Sequence, residues 1–99
     1  MEIKKVIIDG KKIKTKKDLH VFFKKELEFP DYYGENLDAF WDCLTDAIIS
    51  DTISIKWIHF KESEKELEPF FLEVVLKIFE RAITFYKSET PLFSYEIID

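Results

Sequence analysis

The sequence predicts an α/β fold: a small three-stranded parallel sheet packed with about four helices. Three observations carry that prediction. Short strand-like runs recur near the start of the chain (Ile3, Val6, Ile7 and Ile8), in the middle (TISIKWI, 52–58) and at the end (LFSYEII, 92–98). The segments between them place apolar residues three and four apart, which is the period of a helix. Strands joined by helical connections run parallel, because the helix returns the chain to the edge from which the next strand starts. The chain has 99 residues, of which 46% are hydrophobic and 16% aromatic, with only two Gly. That composition describes one globular domain over residues 1–99 and excludes a disordered chain.

In the first strand, Ile3, Val6, Ile7 and Ile8 are followed by Asp9-Gly10, which turns the chain. Thr15-Lys16-Lys17-Asp18 then has the form of a capping box, with Asp18 in the place usually taken by Glu. The helix that follows is expected to bury Leu19, Phe22, Phe23 and Leu27 and to end at Pro30. Tyr32-Tyr33-Gly34 is expected to be a loop into a second helix that starts near Glu35 or Asn36. TISIKWI alternates at period two and predicts the second strand. The charged segment from His59 to Leu67 predicts a short helix or a turn. Pro69 suits the first position of the last helix, where Phe71, Val75, Ile78, Phe79, Ala82, Ile83 and Tyr86 fall at helical spacing. Further apolar residues (Phe70, Leu72, Val74, Leu76, Phe85) widen that stripe and predict the most buried helix. Pro91 is expected to break it, ahead of the third strand at Leu92 to Ile98.

Charge is distributed very unevenly. Residues 31–51, DYYGENLDAFWDCLTDAIISD, contain six acids (Asp31, Glu35, Asp38, Asp42, Asp46, Asp51) and no Lys or Arg. Those six supply −6, while the remaining 14 acids and 15 bases supply +1, giving the net charge of −5. On a helix, Leu37, Phe40, Trp41, Leu44, Ala47 and Ile48 form one apolar stripe. Asp38, Asp42 and Asp46 lie on the opposite side, with Trp41 and Thr45 at the border. Like charges at i,i+4 cost about 0.2–0.5 kcal/mol per pair, and no Lys is interleaved to relieve them. A solvated acidic face is the ordinary fate of such a run. The missing lysines favour a face kept for a cationic partner.

Other constellations carry less. Nine lysines lie within the first 25 residues (Lys4, Lys5, Lys11, Lys12, Lys14, Lys16, Lys17, Lys24, Lys25). A sequence pI near 5.1 and the lack of any binding motif read them as solvated rather than as a nucleic-acid patch. The single Cys43 excludes an internal disulfide and fits a reducing cytoplasm. Its sequence surroundings, like those of His20 and His59, have no catalytic or metal-ligand pattern, so no cofactor and no metal are expected. No apolar run reaches the ~18 residues of a membrane span, and the charged N-terminal residues do not form a signal peptide. Periodicity puts the acids on the convex outer side of a helix, away from the cleft that catalysis needs. Tyr32 and Tyr33 are adjacent, so one is expected to point inward and one outward.

The stretch PDYYGENLDAFWDCLT, residues 30–45, resembles the barstar family, intracellular inhibitors of secreted guanyl-preferring ribonucleases. The flanks resemble it too: the strand ending at Asp9-Gly10, Asp18-Leu19-His20 opening the first helix, Trp57 in the middle strand, and VLKIFERA in the last helix. The resemblance implies a barstar-like fold and a cytoplasmic protein, monomeric when free and without catalytic residues. Its partner would be a basic ribonuclease rather than nucleic acid or membrane. It implies that Asp42 is the central anion in the nuclease active site and that Asp38 binds a second cationic group. Tyr32, Tyr33, Asn36, Trp41 and Thr45 would supply surrounding contacts, and Ala39, Asp46 and Glu80 beside them complete the expected partner-binding set. Two positions depart from the family pattern. Asp46-Ala47 stands where the family has a glycine and a tryptophan, so an aromatic contact is lost and an acid gained. Arg81 aligns with the family's acidic contact in the last helix, with Glu80 beside it. These differences are compatible with a different cognate nuclease, including a toxin with a ribonuclease domain that the chain would neutralise as an immunity protein. The reading from another class is a small acid–base enzyme using Asp38 or Asp42, and a third is a module for a basic protein that is no nuclease.

Overall fold

The computed structural model describes residues 3–86 and 91–99. In chain order it contains β1 (Ile3–Asp9), a 3-10 turn (Gly10–Lys12), α1 (Lys16–Glu26), α2 (Leu37–Ser50), β2 (Thr52–Ile58), α3 (Phe60–Glu66), α4 (Pro69–Ile83) and β3 (Phe93–Ile97). The sheet order is β1-β2-β3 with both pairings parallel. The predicted α/β architecture, a three-stranded parallel sheet with four helices, is therefore the observed one.

Among the described residues, the helices cover one face of the sheet. Val6 and Ile8 of β1, Ile53, Ile55 and Trp57 of β2, and Phe93 of β3 are buried under the helices. Ile3, Lys5, Ile7, Lys56, Ser94 and Glu96 point the other way and are exposed. Parallel sheets are usually buried on both faces and read as unbroken apolar runs. The alternation in TISIKWI is the sequence trace of this half-covered sheet. Phe79 of α4 sits at the middle of the core, ring to ring with Phe23, Phe40, Trp57, Phe93 and Tyr95. It thereby ties α1, α2 and α4 to the sheet. Phe22, expected in the core, is half-buried at its edge.

The turn after β1 explains one of the two glycines. A Cβ on Gly10 would lie 2.0 Å from the carbonyl oxygen of His59, so no other residue fits. The Gly10 carbonyl accepts from the Ser63 hydroxyl, which accepts in turn from the Trp57 indole N–H at 3.2 Å. This chain of bonds satisfies every buried polar group it crosses. The capping box forms as read: Thr15 Oγ1 accepts from the Asp18 amide and Asp18 accepts from the Thr15 amide.

Two helix ends differ from expectation. α1 stops at Glu26, before Pro30, because Glu28 turns left-handed (φ 54°) and the Phe29 amide bonds the Lys24 carbonyl. This is the six-to-one bond of a Schellman turn, with Glu in the place glycine normally takes. α4 ends at Ile83, ahead of Tyr86 and well ahead of Pro91. The Phe85 amide turns back to the Ala82 carbonyl, and the Phe85 ring packs edge-on to Trp41. Phe70 and Phe85 are exposed rather than part of the α4 stripe. The ambiguous segment after β2 is the helix α3.

Candidate functional site

The site is built on α2 and the loop before it. Asn36 is the N-cap: its Oδ1 accepts from the Ala39 amide at 2.8 Å, and its side-chain amide donates to the Gly34 carbonyl. The helix thus begins one residue later than Asn36. Glu35 lies outside it, with φ 49°. The positive end of the helix dipole consequently favours Asp38 alone among the four acids Glu35, Asp38, Asp42 and Asp46.

The two tyrosines diverge. Tyr32 is 86% exposed, while Tyr33 is 6% exposed, packs on Phe29, and shares a short buried hydrogen bond with Nδ1 of His20. Burial, aided by Cys43 and Glu35, pushes the Tyr33 hydroxyl far above its ordinary pKa. Burial also lowers the pKa of His20, against the pull of Glu35. The pair pins the loop to α1 and aims Tyr32 outward.

Asp38, Asp42 and Asp46 are exposed, and none of the six acids of residues 31–51 makes an ion pair among the described residues. A step of four residues advances about 40° beyond a full turn, so the three acids wind across the helix surface rather than along one line. Asp38 faces α4, Asp46 faces the 27–32 loop, and Asp42 stands between them. A cleft of about 340 Å³ on the α4 side is lined by Leu37, Asp38, Trp41, Asp42, Val74, Ile78 and Arg81. A cleft of about 570 Å³ on the loop side is bordered by Asp42, Asp46, Asp51, Glu28 and Tyr32 over a floor that includes Leu27, Phe29 and Ala47. The expectation of a simply convex face is corrected accordingly: Asp42 forms the ridge between two hollows.

Several predicted contact residues take other places. Tyr33 is in the core. Thr45, expected at the border, is 7% exposed, because its hydroxyl folds back onto the Trp41 and Asp42 carbonyls at 3.0 Å and can then be buried without an orphaned donor. Asn36 remains exposed, but its amide is engaged in the cap. Glu80 points away from α2, toward the Tyr95 hydroxyl, whose pKa is raised by burial and by that carboxylate. Arg81 is the charged α4 residue that borders the α4-side cleft; its guanidinium lies 4.7 Å from the centre of the Trp41 ring. Trp41 is half-buried between Arg81 and Phe85, and Ala39 is half-buried in the first turn. Glu28 was not expected beside α2, whereas Arg81 was noted as the residue aligned with the family's acidic contact, with Glu80 beside it. Glu28 lies outside the acid-rich stretch, and nothing in the sequence shows that a Schellman turn folds it back toward α2.

Chemically, the site offers unpaired carboxylates and one exposed aromatic ring, which is a surface for cations. Cys43 lines the loop-side cleft, and burial followed by Asp46 and Asp42 pushes its thiol up in pKa. That is the reverse of what activates a nucleophile.

The fold and this face define a class, a small α/β domain that presents a capped acidic helix beside an exposed tyrosine. The family model described as Barstar (barnase inhibitor) matches residues 3–97, and the chain belongs to that family. Among curated proteins it is similar to one of Bacillus subtilis named "Putative ribonuclease inhibitor YrdF", with 56% identity over 43 residues. That match spans 43% of this chain and 47% of the relative's length. Among the described residues, no helix is long and apolar enough to cross a membrane.

Proposed function

We propose that this protein is an intracellular inhibitor of a basic, guanyl-preferring ribonuclease, which it blocks by laying α2 and Tyr32 over the active site. The observation that carries the reading is the unpaired row Asp38, Asp42 and Asp46 on a capped helix. An RNA-cleaving site holds phosphates with cationic side chains, and carboxylates spaced along a helix can take those phosphate positions through charge-assisted bonds. Family membership supports a ribonuclease as the partner. Asp42, on the ridge, is the central anion, and Asp38 meets a second cation. Tyr32, Asn36, Ala39, Trp41 and Asp46 supply the surround, and Arg81 replaces Glu80 in that set. Tyr33 and Thr45 act indirectly, by holding the loop and the helix surface in place. The acid–base enzyme fits less well, because the clefts around Asp42 bring no histidine and no activated thiol to it.

Competition tests the reading. Barnase is titrated with the protein in the presence and absence of guanosine 3′-phosphate. The nucleotide is expected to raise the apparent Kd in inverse proportion to the fraction of nuclease it leaves free. Binding at the same affinity with the nuclease site filled would contradict it.

A further inference from the structure

The two sides of the α2 ridge are not equivalent, and the difference indicates where a bound nuclease anchors. On the α4 side, Arg81 stands over Trp41 and brings a positive charge next to Asp38 and Asp42. There Arg81 offsets part of the negative field, so Asp38 holds a partner's cation less strongly than the loop-side acids can. On the loop side, Asp42, Asp46, Asp51 and Glu28 border the larger cleft, where Lys4 is the one base and already lies 3.6 Å from Glu28. Its floor is apolar, with Leu27, Phe29, Pro30, Ala47 and Ile53 beneath the acids. Ala47 leaves this hollow open where a larger side chain on the same helix position would project into it.

We propose that this loop-side cleft is a docking groove for one extended Lys or Arg side chain of the nuclease. Its aliphatic stem lies on Ala47 and Pro30, and its charged head reaches Asp46 and Asp51. The combination of an apolar floor and an acidic rim matches that amphipathic side chain, and a flat acidic face would not discriminate for it. The groove makes Asp46, Asp51 and Ala47 specificity-determining, while Arg81 weakens the hold of Asp38 on a cation presented toward α4. This inference rests on the proposed ribonuclease-binding role of α2 and adds the place and chemistry of a second anchor.

The test uses the intact protein and acetyl-Gly-Arg-Gly-amide and acetyl-Gly-Lys-Gly-amide as probes, with the Glu-centred peptide as control. Backbone amide shifts are followed by NMR. The basic peptides are expected to give saturable shifts centred on Asp46, Ala47, Ser50 and Asp51, and the Glu peptide none. Asp46→Asn combined with Asp51→Asn is expected to weaken binding by about tenfold or more, as the loss of a hydrogen bond to a charged group does. Ala47→Phe is expected to abolish it by filling the groove, and the double Asn variant keeps the test valid if that helix tolerates Phe poorly. Shifts centred on Asp38 and Trp41, spread evenly along the ridge, or absent would overturn the groove. Peptide shifts lacking at the groove while barnase competition holds would sink this inference alone. Groove shifts with no binding to barnase or to any other guanyl-preferring ribonuclease tested would remove the ribonuclease reading and leave a cation groove.

Discussion

At the scale of single residues, Gly10, Glu28, His20 and Cys43 turn local geometry into measurable consequences. Gly10→Ala drives a methyl group into the His59 carbonyl, 2.0 Å away, and breaks the register of Ser63 with Trp57. A loss of about 3 kcal/mol or more is expected in thermal or denaturant unfolding, in the range of other severe steric mutations. Glu28 holds a left-handed backbone that costs an L-residue about 1–2 kcal/mol. Glu28→Gly is expected to raise stability by about 1 kcal/mol, since the exposed pair with Lys4 that it removes contributes little. His20 sets the pH dependence. Its folded-state pKa is depressed, so the unfolded chain takes up the proton first as the pH falls. The His20 contribution is complete above the unfolded value of 6.5 and declines as pH drops below it, with a slope of at most about 1.4 kcal/mol per pH unit. Chemical denaturation between pH 7.5 and 5 should show this decline, and His20→Gln should flatten it. Cys43 reports on the acids beside it: Asp46→Asn is expected to speed its alkylation by iodoacetamide near pH 8, because one of the charges that raises the thiol pKa is removed.

At the scale of elements, the sequence was legible wherever period and capping agree. The strand runs, the Thr15 to Asp18 box and Pro69 at the start of α4 all marked structure that formed, because each is a local preference which the core does not oppose. The helix ends were less legible. α1 and α4 stop short of their prolines because a left-handed turn at Glu28 and the packing of Phe85 on Trp41 close them first. Both causes are tertiary. The acidic face was legible as a row of charges, and its winding from α4 to the loop follows from helix geometry alone. The fates of Tyr33, Thr45 and Glu80 were not, since each is decided by a partner distant in the chain or by a side chain folding onto its own backbone. Within α4, Phe79 touches rings from every layer, so Phe79→Ala is expected to cost about 3–5 kcal/mol, a large part of the stability of a domain this size.

At the scale of the molecule, stability and recognition draw on different forces. The core is a mesh of aromatic rings, and the ion pairs are exposed and isolated, which makes them weak contributors. Added salt should therefore leave the unfolding midpoint nearly unchanged. In the proposed role, association with a basic nuclease would depend on unpaired charge that is screened beyond about 8–10 Å at physiological ionic strength. Its rate should fall steeply in stopped-flow mixing as salt rises.

The measurement closest to the central claim is inhibition of RNA cleavage by barnase, comparing the wild type with Asp42→Ala, Asp46→Ala and Asp51→Ala at equal folded concentration. The wild type is expected to inhibit at one molecule per nuclease. Asp42→Ala should weaken inhibition by about 10- to 100-fold, the worth of hydrogen bonds to a charged group. It should also fold slightly more stably, because it relieves like-charge pairs with Asp38 and Asp46 of about 0.2–0.5 kcal/mol each. The other two variants should lose less, in keeping with Asp42 on the ridge and the others on its flank. Equal losses at all three positions, or undiminished inhibition by Asp42→Ala, would contradict the account.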